Sequence, residues 1–335
     1  MAQATFHFPR GFLWGTATAS HQVEGNNTNN TWWAWEQQNG AILQGHKSGL
    51  ACDWWGGRWR DDFDRAAETG QNAHRMSIEW SRIQPAPDRW DEEALDRYLE
   101  MLRGLQERNI TPMVTLHHFS DPIWLAEMGG WENEKVVEKF EHYVRKTVTA
   151  LKDYATYWCT INEPNVFALF NYFLGIFPAG KKDLRTTFKV YANLVRAHAA
   201  AYHAIHEIQP NARAGSSFNI RFLSPGASWS PLDQGLKNFF NSVVNIVIPQ
   251  AMTDGILRTP LGKVNIPQAR KTQDYFGLNY YTREYISFDL RHAKEGFSRR
   301  YFAKTAQASK SGMIANDPPG MFEAIKWART FNLPI

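Results

Sequence analysis

Short apolar runs alternate along this sequence with longer stretches of helical period, and that alternation constrains the fold more than any other feature. A strand, a helix and a second strand make the unit of a parallel sheet, because parallel neighbours need a crossover long enough to bring the chain back to the same end. Strands are expected over residues 12–16, 73–78, 111–116, 156–161, 212–218 and 275–280, and helices over 60–68, 92–108, 135–152 and 188–208. That makes six complete βα units. A further helix at 321–328 leads into residues 332–335, which read as the start of a seventh strand. The helix at 188–208 sets Val190, Leu194, Ala201, Ile205 and Ile208 at helical spacing, so one face is apolar and packs on a sheet. His198, His203 and His206 ride on it without a carboxylate at matching spacing, and read as packing and surface residues rather than metal ligands. The Gly/Pro/Ser-rich stretches 224–231 and 315–320 read as loops between units, because apolar periodicity resumes after each.

A length of 335 residues fits one large α/β barrel or two ordinary domains. With no linker, repeat or low-complexity tract to divide it, residues 1–335 read as a single domain. The 14 Trp each need a buried site with a partner for the indole N–H, or a surface on which something flat can lie. A net charge of +4 without a Lys/Arg run argues against nucleic acid as a partner. Cys52 and Cys159 form neither a CxxC nor a zinc spacing, so no disulfide framework and no structural metal is expected. The first fifteen residues lack the pattern of a secretory leader, and no apolar run reaches membrane-spanning length. A cytoplasmic protein with no membrane partner and no cofactor is the resulting expectation.

Chemistry first enters at Asn162-Glu163-Pro164, at the end of the fourth expected strand. In a βα barrel the C-terminal strand ends form the active-site face, so Glu163 is expected to meet substrate space, with Pro164 helping to end the strand. Five other segments accompany it: FLWGTATASHQVEG at 12–25, RMSIEWSR at 75–82, TLHHFSDP at 115–122, GGW at 129–131 and GLNYYT at 277–282. In this order and at this spacing, the six motifs resemble glycoside hydrolase family 1, the retaining β-glycosidases of β-glucosidase and β-galactosidase type. The resemblance runs over essentially the whole chain. It implies a (β/α)8 TIM barrel and a small β-glycoside or oligosaccharide as substrate. Glu163 would be the acid/base that protonates the leaving oxygen and later deprotonates water. Asn162 would bond the sugar 2-hydroxyl, and Gln22, His118 and Asn279 would bind other parts of the ring. Arg75 and Tyr281 would flank the nucleophilic carboxylate and hold it ionised. Glu79 and His117 are expected outside this set, because polar groups inside a small barrel often serve only to satisfy one another.

The family pattern is not complete. A retaining enzyme needs a second carboxylate roughly 5 Å from the first, and the family carries it in a Thr-Glu-Asn-Gly motif on the seventh strand. No Glu-Asn-Gly occurs here, and residues 322–335 match the helix and strand that lead into it. The expectation is thus a barrel with about six βα units present and strands seven and eight missing, impaired in turnover by itself. Phe119 also stands where the family commonly has Trp, and the connection between the fifth and sixth units looks short, which bears on aglycone preference. Two unpaired sheet edges would have to be filled by a complementing C-terminal fragment, by a swapped homo-oligomer, or by rearrangement. Two other readings of the residues stand beside this one. One is a non-catalytic carbohydrate-binding or interaction protein derived from the glycosidase, and the other a metal-dependent hydrolase built on His117 and His118.

Overall fold

In the computed structural model, which describes residues 7–335, all six strands form in the expected order. They are β1 (Gly15–Ala17), β2 (Ala73–Ser77), β3 (Thr111–His117), β4 (Tyr157–Asn162) and β5 (Arg213–Pro225), followed after a small hairpin by β8 (Phe276–Phe288). Residues 1–6, the start of the stretch read as lacking a leader, lie outside the described residues. The hairpin, β6 (Ile256–Thr259) with β7 (Gly262–Asn265), pairs only within itself. A further strand, β9 (Ser298–Tyr301), runs antiparallel along the outer half of β8. The main sheet therefore has the order β1-β2-β3-β4-β5-β8-β9, with six parallel strands. Among the described residues β1 and β9 are its two edges, and the sheet is open between them.

The two ends depart from the sequence reading for one reason: each has a neighbour on one side only. β1 begins three residues later than expected, and Phe12, Leu13 and Trp14 are 41%, 43% and 50% exposed. With no second strand to take up their backbone, the N–H of Trp14 turns to Asn72 Oδ1 at 2.6 Å. The rings of Phe8, Phe12 and Trp14 cluster together, Phe8 and Trp14 at 4.6 Å. At the other end, residues 332–335 are not a strand. A 3-10 turn (Arg329–Phe331) and a left-handed Asn332 end the preceding helix, and the tail is tied to β8 through the hydrogen bond from Phe276 N to Pro334 O, 2.7 Å. The two stretches read as loops are shorter than expected, since β5 runs on to Pro225 and the helix after residue 315 begins at Pro318.

Helices pack outside the sheet: α1 (Trp59–Glu68), α2 (Glu92–Glu107), α3 (Val136–Leu151) and α4 (Leu184–Ile208). Local capping sets their starts. Asp91 accepts from Ala94 N at 3.0 Å, and Asp183 accepts from Thr186 N at 2.6 Å, which starts α4 four residues earlier than its apolar pattern alone suggests. Val190, Leu194, Ala201 and Ile205 are fully buried, with Ile208 packed at the rim. His198 is buried too, and bridges Thr160 Oγ1 at 2.6 Å and Thr272 O at 2.8 Å; His206 meets Asp274 at 3.0 Å. Most tryptophans serve the core. Trp80, Trp131 and Trp158 are fully buried, and their indole N–H groups reach Gln84, Asp121 and Gln209. No helix among the described residues is long and apolar enough to cross a membrane.

Gly104, in the body of α2, shows how tightly these layers meet. A Cβ there would lie 2.3 Å from Cζ3 of Trp59 on α1. Gly104→Ala is expected to lower stability by about 1–2 kcal/mol, because the overpacking against Trp59 outweighs the better helix propensity of Ala. Urea unfolding measures it, and an unchanged or higher midpoint would mean that the indole moves aside without cost.

Candidate active site

The end of β4 carries a local distortion that aims its last residues. The register with β5 shifts between Cys159 and Asn162, and Glu163 then takes a left-handed conformation (φ 51, ψ 55) before Pro164 opens a short helix at its first position. A non-glycine residue in that region costs on the order of 1–2 kcal/mol and is held there by its surroundings. Here the restraint is the backbone N–H of Glu163, which donates to Ser217 O on β5 at 2.7 Å. The distortion turns the Glu163 carboxyl into a cleft of about 750 Å³ above the strand ends, where the residue is only 4% exposed.

Alternation along the neighbouring strands supplies the rest. Asn279 and Tyr281, two apart on β8, face the cleft, while Tyr280 between them points away to Asp317 Oδ2 at 2.7 Å. Asn279 Nδ2 donates to Glu163 Oε1 at 2.7 Å and to Asn162 Oδ1 at 3.1 Å, and Tyr281 OH donates to Glu163 Oε1 at 3.3 Å. Arg75 on β2 donates to Asn162 Oδ1 at 2.7 Å. His118 and His117 point to opposite faces of the sheet: His118 lines the cleft, while His117 is buried against Trp131 and Phe167 with Asp121 at 3.0 Å from its Nε2. Gln22 lines the cleft from a short helix after β1, Ser20–Val23. All seven residues singled out from the sequence, Gln22, Arg75, His118, Asn162, Glu163, Asn279 and Tyr281, thus border one cleft.

These contacts also fix proton positions. Oδ1 of Asn162 accepts from two groups that can only donate, Arg75 and the amide of Asn279, so Nδ2 of Asn162 must be the donor to His118 Nε2 at 3.1 Å. His118 is then neutral, with its proton on Nδ1. Burial, together with Arg75 and His117, pushes its pKa down to about 3, in agreement. Nδ1 is buried and has no hydrogen-bond partner among the described residues. Burial raises the Glu163 carboxyl above its ordinary range, against the opposing pull of Asn279, Asn219, Tyr281 and Arg75. Burial and the nearby Glu163 push Tyr281 up to about 12, so the phenol is a proton donor at neutral pH.

Glu79 stands apart, as expected. It is 2% exposed and is surrounded by donors from Ser20, Asn27, Asn30, Ser81 and Ser120, so its oxygens are saturated by the protein itself. The sequence reading missed Asn219, whose Nδ2 donates to Glu163 Oε2 at 3.1 Å. It lies one residue beyond the expected end of the fifth strand, and a polar residue at the C-terminal end of a barrel strand was the available signal. Also missed were other lining residues of the cleft, Trp32, Phe177, His46 and Lys47, which join Phe119, already singled out from the sequence. Among the described residues Glu36 is the other carboxylate lining the cleft, and it is engaged by Ser48 N at 3.0 Å, Ser48 Oγ at 2.7 Å and His21 at 3.5 Å. Among the described residues, no carboxylate except Glu163 is hydrogen-bonded to Tyr281, and Arg75 bonds to Asn162.

Comparison with known proteins places this arrangement among relatives. The sequence model of glycosyl hydrolase family 1 matches residues 4–330. Beta-glucosidase A of Thermotoga maritima is 31% identical over 318 residues, covering 89% of this chain and 71% of that protein. The 1,4-beta-D-glucan glucohydrolase of Thermotoga neapolitana is 30% identical, with coverages of 89% and 74%. Among solved structures, a beta-glycosidase from Pyrococcus horikoshii superposes with a TM-score of 0.89 at 33% identity, covering 98% of this chain and 74% of that one. The Thermotoga maritima beta-glucosidase in complex with deoxynojirimycin gives 0.90 at 28% identity, with coverages of 98% and 77%.

Proposed function

The chain belongs to glycosyl hydrolase family 1, and from that premise we propose that its cleft is the acid/base half of a retaining β-glycosidase of β-glucosidase type. The observation that carries this reading is the setting of Glu163, a buried carboxyl with a raised pKa at the end of β4, oriented by Asn279, Asn219 and Tyr281. A carboxyl that holds its proton toward neutrality can protonate the glycosidic oxygen as the bond to the sugar breaks. Once ionised, the same group takes a proton from the water that releases the sugar. The second amide hydrogen of Asn162 is a donor for a ring hydroxyl, His118 lines the same cleft, and Gln22 adds an amide that can both donate and accept. The relatives' names support a β-glucoside or short β-glucan as substrate, and the free thiols of Cys52 and Cys159 fit the expected cytoplasmic setting.

Arg75 and Tyr281 have the character of groups that hold a nucleophilic carboxylate, yet here they address Asn162 and Glu163. The displacement step accordingly depends on a second carboxylate brought to them from outside the described residues, and these residues by themselves turn over poorly or not at all. The test is nitrophenol release from an aryl β-glucoside by the 335-residue chain, alone and mixed with a polypeptide carrying the seventh and eighth strands of a family relative. Activity in the mixture only is the expected result. Activity of the chain alone would point to Glu36 as the displacing group, and silence in both would favour a carbohydrate-binding role.

A further inference from the structure

Asn219 on β5 and Asn279 on β8 are direct register partners, and Glu163 lies between their side chains. Each amide donates to a different carboxyl oxygen, Asn279 to Oε1 at 2.7 Å and Asn219 to Oε2 at 3.1 Å. From this geometry we infer that Asn219 is a positioning residue for the acid/base, fixing Oε2 and tuning the proton affinity of Glu163. The inference rests on the reading of Glu163 as the acid/base.

The two oxygens are not equivalent. Oε1 accepts from both Asn279 and Tyr281, which occupy its two lone pairs. Among the described residues Oε2 accepts only from Asn219, so it can take up a proton without expelling a donor. The Asn219 contact is therefore on the oxygen that gains and loses the proton, where a change is felt most directly. Asn219 is itself held in place: its carbonyl accepts from Nδ2 of Asn165 at 2.8 Å, and the same amide reaches Val244 O at 3.0 Å. Asn165 is 1% exposed and follows the Asn-Glu-Pro segment directly, so a residue in the first turn of the helix after Glu163 also locks the clamp. The register between β5 and β8 shifts just beyond, between Ile220 and Arg221, so Asn219 still lies within the regular pairing that sets it opposite Asn279. The charged and titratable groups facing Glu163 are Arg75 from β2, Tyr281 from β8 and, through Asn162, the neutral His118 after β3. Asn219 adds a neutral donor to that set.

The test is a carboxyl 13C titration of the full chain labelled at Glu side chains, with the Glu163 resonance assigned by its absence in Glu163→Gln. Asn219→Ala removes a donor to the ionised form and is expected to raise the Glu163 midpoint by about one pH unit. Asn219→Asp, close to isosteric, replaces that donor with a like charge and is expected to raise it further. A midpoint that stays at the wild-type value in either variant overturns the inference, and if Asn219→Ala fails to fold, Asn219→Asp decides alone. The titration needs no turnover, so silence in the aryl glucoside assay leaves it standing, whereas an unmoved midpoint in a chain that does turn over rejects the clamp and keeps the enzyme.

Discussion

Glu163→Gln, in a cleft completed with its second carboxylate, is expected to slow hydrolysis of β-glucosides with alkyl or sugar leaving groups by about 10²–10⁴-fold, the usual worth of a positioned general acid. The same change is expected to leave the first step on a dinitrophenyl glucoside nearly untouched, because that leaving group departs without a proton. Gln keeps the shape of the side chain and an oxygen to accept from Asn279 and Tyr281, so the cleft geometry survives while the transferable proton is lost. The one new conflict is amide against amide at Asn219, which rotation of that side chain relieves. Rapid-mixing measurement of nitrophenolate release separates the steps: a burst followed by slow turnover is the expected trace, since the water-activating role is lost as well. An equal loss on both classes of substrate would show that Glu163 acts on binding and not as an acid.

Much of this site was legible in the sequence because its residues sit on regular elements. Residues two apart on one strand face the same way, so a motif such as Asn279-Tyr280-Tyr281 fixes two cleft residues once the strand is placed. The helix histidines were also placed correctly, since His198 and His206 have packing and ion-pair partners. What escaped depends on contacts between distant segments. Asn219 was missed because β5 continues past Phe218, sustained by its long pairing with β8, which no local pattern announces. The start of β1 and the tail at 332–335 failed for the opposite reason: their apolar residues have strand character, but a strand needs a partner, and each of these segments has the sheet on one side only. The lining residues Trp32, Phe177 and Lys47 come from the connections between strands, whose placement follows from what they pack against.

The short helix that brings Gln22 to the cleft is fastened at its C-cap, Glu24, and here the second large effect is expected. Glu24 is 2% exposed; its carboxylate accepts from Arg82 Nε at 2.7 Å and from Tyr98 OH at 2.7 Å, while Arg82 also donates to Gly25 O at 2.6 Å and lies 3.9 Å over the Trp55 ring. Burial, with Glu79 adding to it, raises the Glu24 pKa from 4.5 to about 7, although Arg82 and Tyr98 pull the other way. A carboxyl whose folded pKa is raised binds its proton more tightly when folded, so its contribution is fully present below about pH 4.5 and is lost as pH rises through about 7. Arg82→Met keeps the apolar stem and removes the charge that makes the ionised form tolerable. Without Arg82 the Glu24 pKa rises further, so at pH 8 the folded variant must take up a proton that the wild type gives up, and the loss is expected to be about 2–4 kcal/mol. At pH 5 Glu24 is protonated in the folded variant, and the loss should shrink to about 1–2 kcal/mol, the worth of the Gly25 hydrogen bond and the Trp55 contact. Urea unfolding at the two pH values measures the difference, and combining Arg82→Met with Glu24→Gln should abolish it. A loss that is the same at pH 5 and pH 8 would mean that Arg82 works by packing on Trp55, and that the wall carrying Gln22 is held by shape and not by the charge on Glu24.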